Sequence, residues 1–198
     1  MRLSFNTFPA DSVIPVNDFV KNRKMAKYYN RETQAAMVTV GMLLKGIDIS
    51  PITPIFYATG IVEHEEYDLH KIASNSVDES GQFSNQLFID KGMAQVSPLT
   101  QFKILYNMTL CFISIEYGLK GDNAAVFSSA SGLITNAVYS THQDFVIIGS
   151  GKVYADGNIE SGFAYLNKEE LEALPSFNSM TESIELFRYL QNKTAPHG

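Results

Sequence analysis

Cysteine is almost missing from this chain. The single Cys111 cannot close an internal disulfide, so the fold is not a disulfide scaffold, and a reducing compartment, the cytoplasm, is the expected location. Glycine and proline, 13 and 7 in 198 residues, are far too few for a collagen-like or low-complexity chain. Positive charge is not in excess. Fifteen Lys and Arg against 21 Asp and Glu leave a net charge of −6, a poor match for a protein that grips phosphate backbones, so nucleic acid is not an expected partner. No stretch approaches the ~18 unbroken apolar residues of a membrane span, and Met1-Arg2-Leu3-Ser4-Phe5-Asn6 lacks the apolar core of a signal peptide. Neither a spanning helix nor a cleaved export signal is expected. What is present, 45% hydrophobic and 12% aromatic residues, excludes disorder and describes one globular domain over 1–198. A domain of this size buries roughly 70% of its unfolded surface.

After a basic stretch, Lys21-Asn22-Arg23-Lys24, the pattern predicts a helix over 31–44. Asn30 is its cap, and small residues such as Ala35 and Ala36 on its apolar face suit close approach to a sheet. The run Ile55-Phe56-Tyr57-Ala58-Thr59-Gly60 reads as a buried strand, and 63–86 as a polar surface excursion with one weak helical segment near 67–75. A helix over 99–117, apolar almost all round, is expected to be buried or to lie in an interface. Then come a strand at 124–127, a tight passage through Ser128-Ser129-Ala130-Ser131-Gly132 into a helix reaching about Gln143, and a second buried strand at 144–149. Strand, helix and strand in so few residues imply a βαβ unit with parallel strands. Asn167-Lys168-Glu169-Glu170 opens a short helix with a capping box, and 181–192 reads as an amphipathic helix with Ile184, Phe187 and Leu190 on one face.

One phrase carries a resemblance. Ile113-Ser114-Ile115-Glu116-Tyr117-Gly118-Leu119-Lys120-Gly121-Asp122-Asn123, followed by a strand and by Ser129-Ala130-Ser131-Gly132, resembles the N-terminal half of the β-ketoacyl-acyl-carrier-protein synthases. In that family an Ile-Ser-x-x-Tyr-Gly-Leu-Lys-Gly-Pro-Asn phrase runs into a strand and then an Ala-Cys-Ala-Ser-Gly elbow bearing the nucleophile. Asp144–Gly149 resembles the family's next strand, Ser161-Gly162-Phe163-Ala164 its Gly-Phe segment, and Arg23-Lys24-Met25 also fits. The resemblance implies an α/β, thiolase-like half domain, with a mixed or mostly parallel sheet and helices on both faces.

Two departures shape the functional expectation. The family's nucleophilic cysteine falls on Ser129, whose hydroxyl needs a separate positioned base where a thiolate needs only a lowered pKa. The family's other catalytic groups belong to a C-terminal half that this chain, ending at Gly198, is not expected to possess. No local histidine supplies the base: His64 and His70, six apart, read as surface, His142 ends the elbow helix roughly 20 Å from Ser129 at 1.5 Å per residue, and His197 lies in a frayed tail. No spacing suggests a metal, and no cofactor is expected. Cys111 reads as a packed core thiol. Ser129 is read as a nucleophile whose elbow supplies N–H groups to an oxyanion, or as a helix cap or inert remnant together with Ser128. Gly149-Ser150-Gly151 resembles a phosphate loop only weakly, because no helix follows it.

The expected function is therefore a non-condensing accessory or structural subunit of fatty acid, aryl-polyene or polyketide-type biosynthesis. A homodimer, a heterodimer with a full-length synthase and an acyl carrier protein are the expected partners, since family dimers form along the strand beside the elbow. The alternatives are an acyltransferase or thioester hydrolase using Ser129, and a chain-length-factor-like pseudo-enzyme. In all three the elbow helix needs cover for Leu133, Ile134, Ala137, Val138 and Tyr139, from 181–192 or from a partner.

Overall fold

A computed structural model describes residues 1–60, 69–95, 102, 105–126, 129–140 and 142–194. Its frame is a mixed five-stranded sheet in the order β1-β5-β4-β2-β3. The strands are β1 (Arg2–Phe8), β2 (Ile55–Thr59), β3 (Asn123–Val126), β4 (Phe145–Val153) and β5 (Ile159–Asn167). β2 pairs in parallel with β3 on one side and β4 on the other, while β5 runs antiparallel to both β4 and β1. The helices are α1 (Arg31–Leu44), α2 (Leu69–Ser74), α3 (Asn85–Leu87), α4 (Met108–Tyr117), α5 (Ala130–Ser140), α6 (Lys168–Glu172) and α7 (Ser183–Thr194). The α/β class, with helices on both faces of a mixed sheet, is as expected.

Each face of the sheet carries its own core. Alternation along the strands sends Ile55, Tyr57, Ile147, Val153, Ile159 and Phe163 toward α1 and α4, where they meet Ala36, Val40, Leu110 and Ile113. The opposite set, Phe56, Ala58, Val146, Ile148, Ala164 and Leu166, faces α5 and α7 and meets Leu133, Ala137, Leu186, Phe187 and Leu190. α1 begins where Asn30 accepts a hydrogen bond from the Thr33 N–H at 2.8 Å, and its alanines lie flat on the sheet with no exposed surface. α7 packs across α5 within the same chain, so Leu133 and Ala137 are fully buried while Tyr139, on the outer side, is 81% exposed. At Gly162 the approach of α7 is so close that a Cβ would collide with the Phe187 ring.

Several boundaries differ from those the sequence suggests. The strand expected over 144–149 continues to Val153 and turns through 154–158 into β5, a hairpin that the apolar run did not announce. Gly149-Ser150-Gly151 is consequently the middle of a paired strand and offers no phosphate loop. β1 pairs along its whole length with β5. The helix expected over 99–117 is interrupted: Phe102 is helical, Tyr106 and Asn107 form a turn, and α4 starts at Met108; residues 96–101, 103 and 104 lie outside the described set. Thr109, Leu110, Phe112 and Ile113 of α4 are buried, Ile115 is 66% exposed, and Cys111 is half-buried rather than packed in the core. The elbow helix stops at Ser140, short of His142, and the C-terminal helix runs Ser183–Thr194.

Candidate functional site

The phrase that carries the resemblance occupies the C-terminal end of α4 and the entry to the sheet. Gly118 closes α4 in the left-handed conformation, φ 65°, with its N–H directed to the Ile115 and Ser114 carbonyls. Residues 119–122 then lead into β3, whose parallel pairing with β2 aims the chain at the C-terminal edge of the sheet. Open α/β sheets gather ligands at that edge, because loops and helix N-termini converge there.

Ser129 begins the elbow helix as its cap. Its Oγ accepts from the Gly132 N–H at 3.3 Å, its carbonyl accepts from the Leu133 N–H at 3.0 Å, and its hydroxyl shares a 2.9 Å hydrogen bond with Ser131. Ser129, Ala130, Ser131 and Gly132 thus come together as one turn; Ser128 and Phe127 lie outside the described residues. The N–H of Ala130, the group that follows the serine and points out of the elbow, donates to the Thr181 carbonyl at 2.8 Å. Ser129 and Glu182 form an antiparallel bridge. The segment leading into α7 therefore lies directly across the elbow.

Two side-chain contacts fasten that segment. Lys152, at the end of β4 and only 2% exposed, donates through Nζ to Glu182 Oε1 at 3.0 Å. Its stem fills the space above Gly60, where a Cβ would stand 2.9 Å from the lysine Cδ, and its ammonium sits 5.6 Å from the centre of the Tyr154 ring. The buried hydroxyls of Ser150 and Ser183 share a 2.7 Å hydrogen bond. Beyond them the charges continue: Tyr154 donates to Glu160 at 2.8 Å, and Arg188 binds Glu160, Glu185 and the Tyr154 hydroxyl. Burial, then the bond to Glu160, pushes the Tyr154 hydroxyl well above the ordinary tyrosine range.

A second polar pair lies under the other face of the sheet. Tyr57, fully buried, donates to Glu32 Oε1 at 2.8 Å, and burial followed by the Glu32 charge drives its pKa far upward. Gly151 leaves the space for this pair, since a Cβ there would strike both the hydroxyl and the carboxylate.

The two described histidines lie away from the elbow. His70 is exposed on α2, His142 is exposed past the far end of α5, and His64 and His197 lie outside the described residues. Among the described residues no group of three His, Cys, Asp or Glu side chains is placed to hold a metal ion, and no helix is long and apolar enough to cross a membrane. Sequence reasoning singled out the elbow serines but missed Lys152, Glu182, Ser150 and Ser183. No local signal joins a lysine and a glutamate 30 positions apart; only the β4 register and the placement of α7 do.

No family model matches this chain, and no curated protein is similar to it. Among solved structures the chain is similar to one in a complex described as a type II PKS acyl-carrier protein with its ketosynthase bound to the hexaketide. The two share 11% identity at a TM-score of 0.49, over 71% of this chain and 40% of the other. The chain thus spans less than half of that neighbour's length, and a likeness this slight identifies neither a family nor an activity.

Proposed function

We propose that this chain is a non-condensing, β-ketoacyl-synthase-like accessory or structural subunit in fatty acid, aryl-polyene or polyketide-type biosynthesis, acting by binding a synthase or an acyl carrier protein. The family resemblance rests on the 113–123 phrase and the 129–132 elbow, which sit in consecutive order as helix end, β3, elbow and α5 at the C-terminal edge of parallel strands.

The observation that carries the non-catalytic part is the state of the elbow. An acyl-transfer site needs a nucleophile with a base and N–H donors aimed at the developing oxyanion. Here the Ser129 hydroxyl is engaged in capping α5 and in its bond to Ser131, and the Ala130 N–H is taken by the Thr181 carbonyl. Lys152 Nζ is directed to Glu182 Oε1, at 3.0 Å. Association is supported by β3, a four-residue strand at the edge of the sheet, because an edge strand offers backbone groups to another chain.

Two measurements test this. Light scattering with a synthase and its carrier protein is expected to give a complex heavier than either component; absence of binding to both removes the accessory role. Incubation with an acyl thioester or a fluorophosphonate is expected to leave Ser129 unmodified, and stoichiometric acylation of Ser129 would replace this reading with that of an acyltransferase or thioester hydrolase.

A further inference from the structure

The segment across the elbow is built differently from the helix that follows it. From Asn178 to Ser183 its attachments are polar. The Asn178 side chain and carbonyl accept from the Met180 and Thr181 N–H groups, the Thr181 carbonyl accepts from Ala130, the Glu182 carboxylate from Lys152, and the Ser183 hydroxyl bonds Ser150. From Ile184 onward apolar contact predominates beside the Arg188 bonds to Glu160 and Tyr154: Ile184 is fully buried, and Leu186, Phe187 and Leu190 are buried against the sheet and α5. Residues 178–180 are exposed, Met180 by 87%. Freeing the polar part exposes little apolar surface, whereas freeing the helix exposes several large side chains.

We propose that residues 178–183 form a strap that closes the elbow and opens independently of the body of α7, with Lys152 as its catch. Lys152 suits that role by position. Its stem is confined above Gly60 and the residue is only 2% exposed, so withdrawal of Glu182 would break a 3.0 Å charge-assisted hydrogen bond made at a buried side chain. That loss favours the closed arrangement. Glu182, a third exposed in its side chain, moves into water at little cost. The strap bears on function in a definite way. With Thr181 in place the Ala130 N–H is unavailable, so any partner segment or acyl group that engages the elbow binds only the open fraction, and its apparent affinity falls in proportion. The strap stands on these contacts alone and holds whichever partner the subunit serves.

Amide hydrogen exchange on the full chain tests it, with Lys152→Met as the catch-free variant, because methionine keeps most of the stem's volume. The expected result is at least a tenfold faster exchange of the Ala130 amide with the Leu190 amide unchanged. Equal acceleration of both would show that strap and helix move as one, and no acceleration at Ala130 would show that Lys152 is no catch; either overturns the proposal. Glu182→Gln removes the same ion pair from the solvent side and serves if the lysine variant fails to fold. A second readout is alkylation of a thiol placed by Ser129→Cys in a Cys111→Ala background. Iodoacetamide is expected to react at least tenfold faster when Lys152→Met is added, and an unchanged rate would again overturn the strap.

Discussion

The Ser129 hydroxyl is bonded to the Gly132 N–H and to Ser131. Its place after a strand and before a helix is legible from the Ser-Ala-Ser-Gly spelling, but whether the hydroxyl is poised or occupied depends on Gly132, Ser131 and a carbonyl 52 positions later in the chain. Because the hydroxyl caps α5, Ser129→Ala is expected to lower unfolding stability by about 0.5–2 kcal/mol in urea titrations, the usual range for losing such a cap. Ser129→Asp, which keeps an acceptor at the cap and adds a charge favourable at a helix N-terminus, is expected to retain most of that stability. The glycines of the central strands were visible as residues but not as contacts. Gly162→Ala places a methyl against the Phe187 ring, and since the ring is fully buried it cannot swing away. An overpacking cost of about 1–3 kcal/mol is expected, read as a lowered thermal midpoint.

Among the elements, those with a simple apolar signature were legible and those that depend on a distant partner were not. α1 and α7 declared themselves by helical periodicity, and β2 and the first half of β4 by buried runs. β1 alternates Leu3 and Phe5, which face α7, with Ser4 and Asn6, but a short half-polar alternation at a chain end becomes a strand only because β5 pairs with it. The polar tail of β4 was missed because Ser150 is buried by bonding to Ser183, the first residue of α7, and Lys152 by bonding to Glu182 just before it, rather than by being apolar. The amphipathic helix assigned to the C-terminus does substantial packing. Phe187→Ala, at a ring with no exposed surface, is expected to cost about 3–5 kcal/mol and Tyr189→Ala, at 38% exposure, under about 0.5 kcal/mol. Similar losses at both sites in chemical denaturation would mean that α7 is not seated as described.

For the whole molecule, pH sensitivity at the alkaline end follows from Tyr29 and Tyr117. Burial first, and the nearby Glu116 charge second, raise both hydroxyls to about 12. An unfolded tyrosine ionises near 10, so the folded state holds these protons more tightly. The stability they contribute is complete below about pH 10 and lost as pH rises toward 12. Absorbance at 295 nm should therefore show two tyrosines whose ionisation coincides with loss of structure, and ordinary titration of both near pH 10 in the folded protein would contradict their burial. The acid end is set in part by Glu170, whose carboxyl is held below its usual value by the N-terminal ammonium and by the Asn167 N–H; its contribution is present above about pH 4.5 and fades as pH falls through the lowered value. The pairing of β1 with β5 has a further consequence, for synthesis rather than for the finished molecule. Residues 2–8 leave the ribosome well before their hydrogen-bonding partners, residues 159–165. At about 5–20 residues per second, roughly 10–30 s separate the emergence of β1 from that of the strand that receives it. Throughout that interval the nascent chain carries Leu3, Phe5 and Phe8 on a segment whose β5 partner has not yet been made, which makes that segment the natural client of a ribosome-bound chaperone.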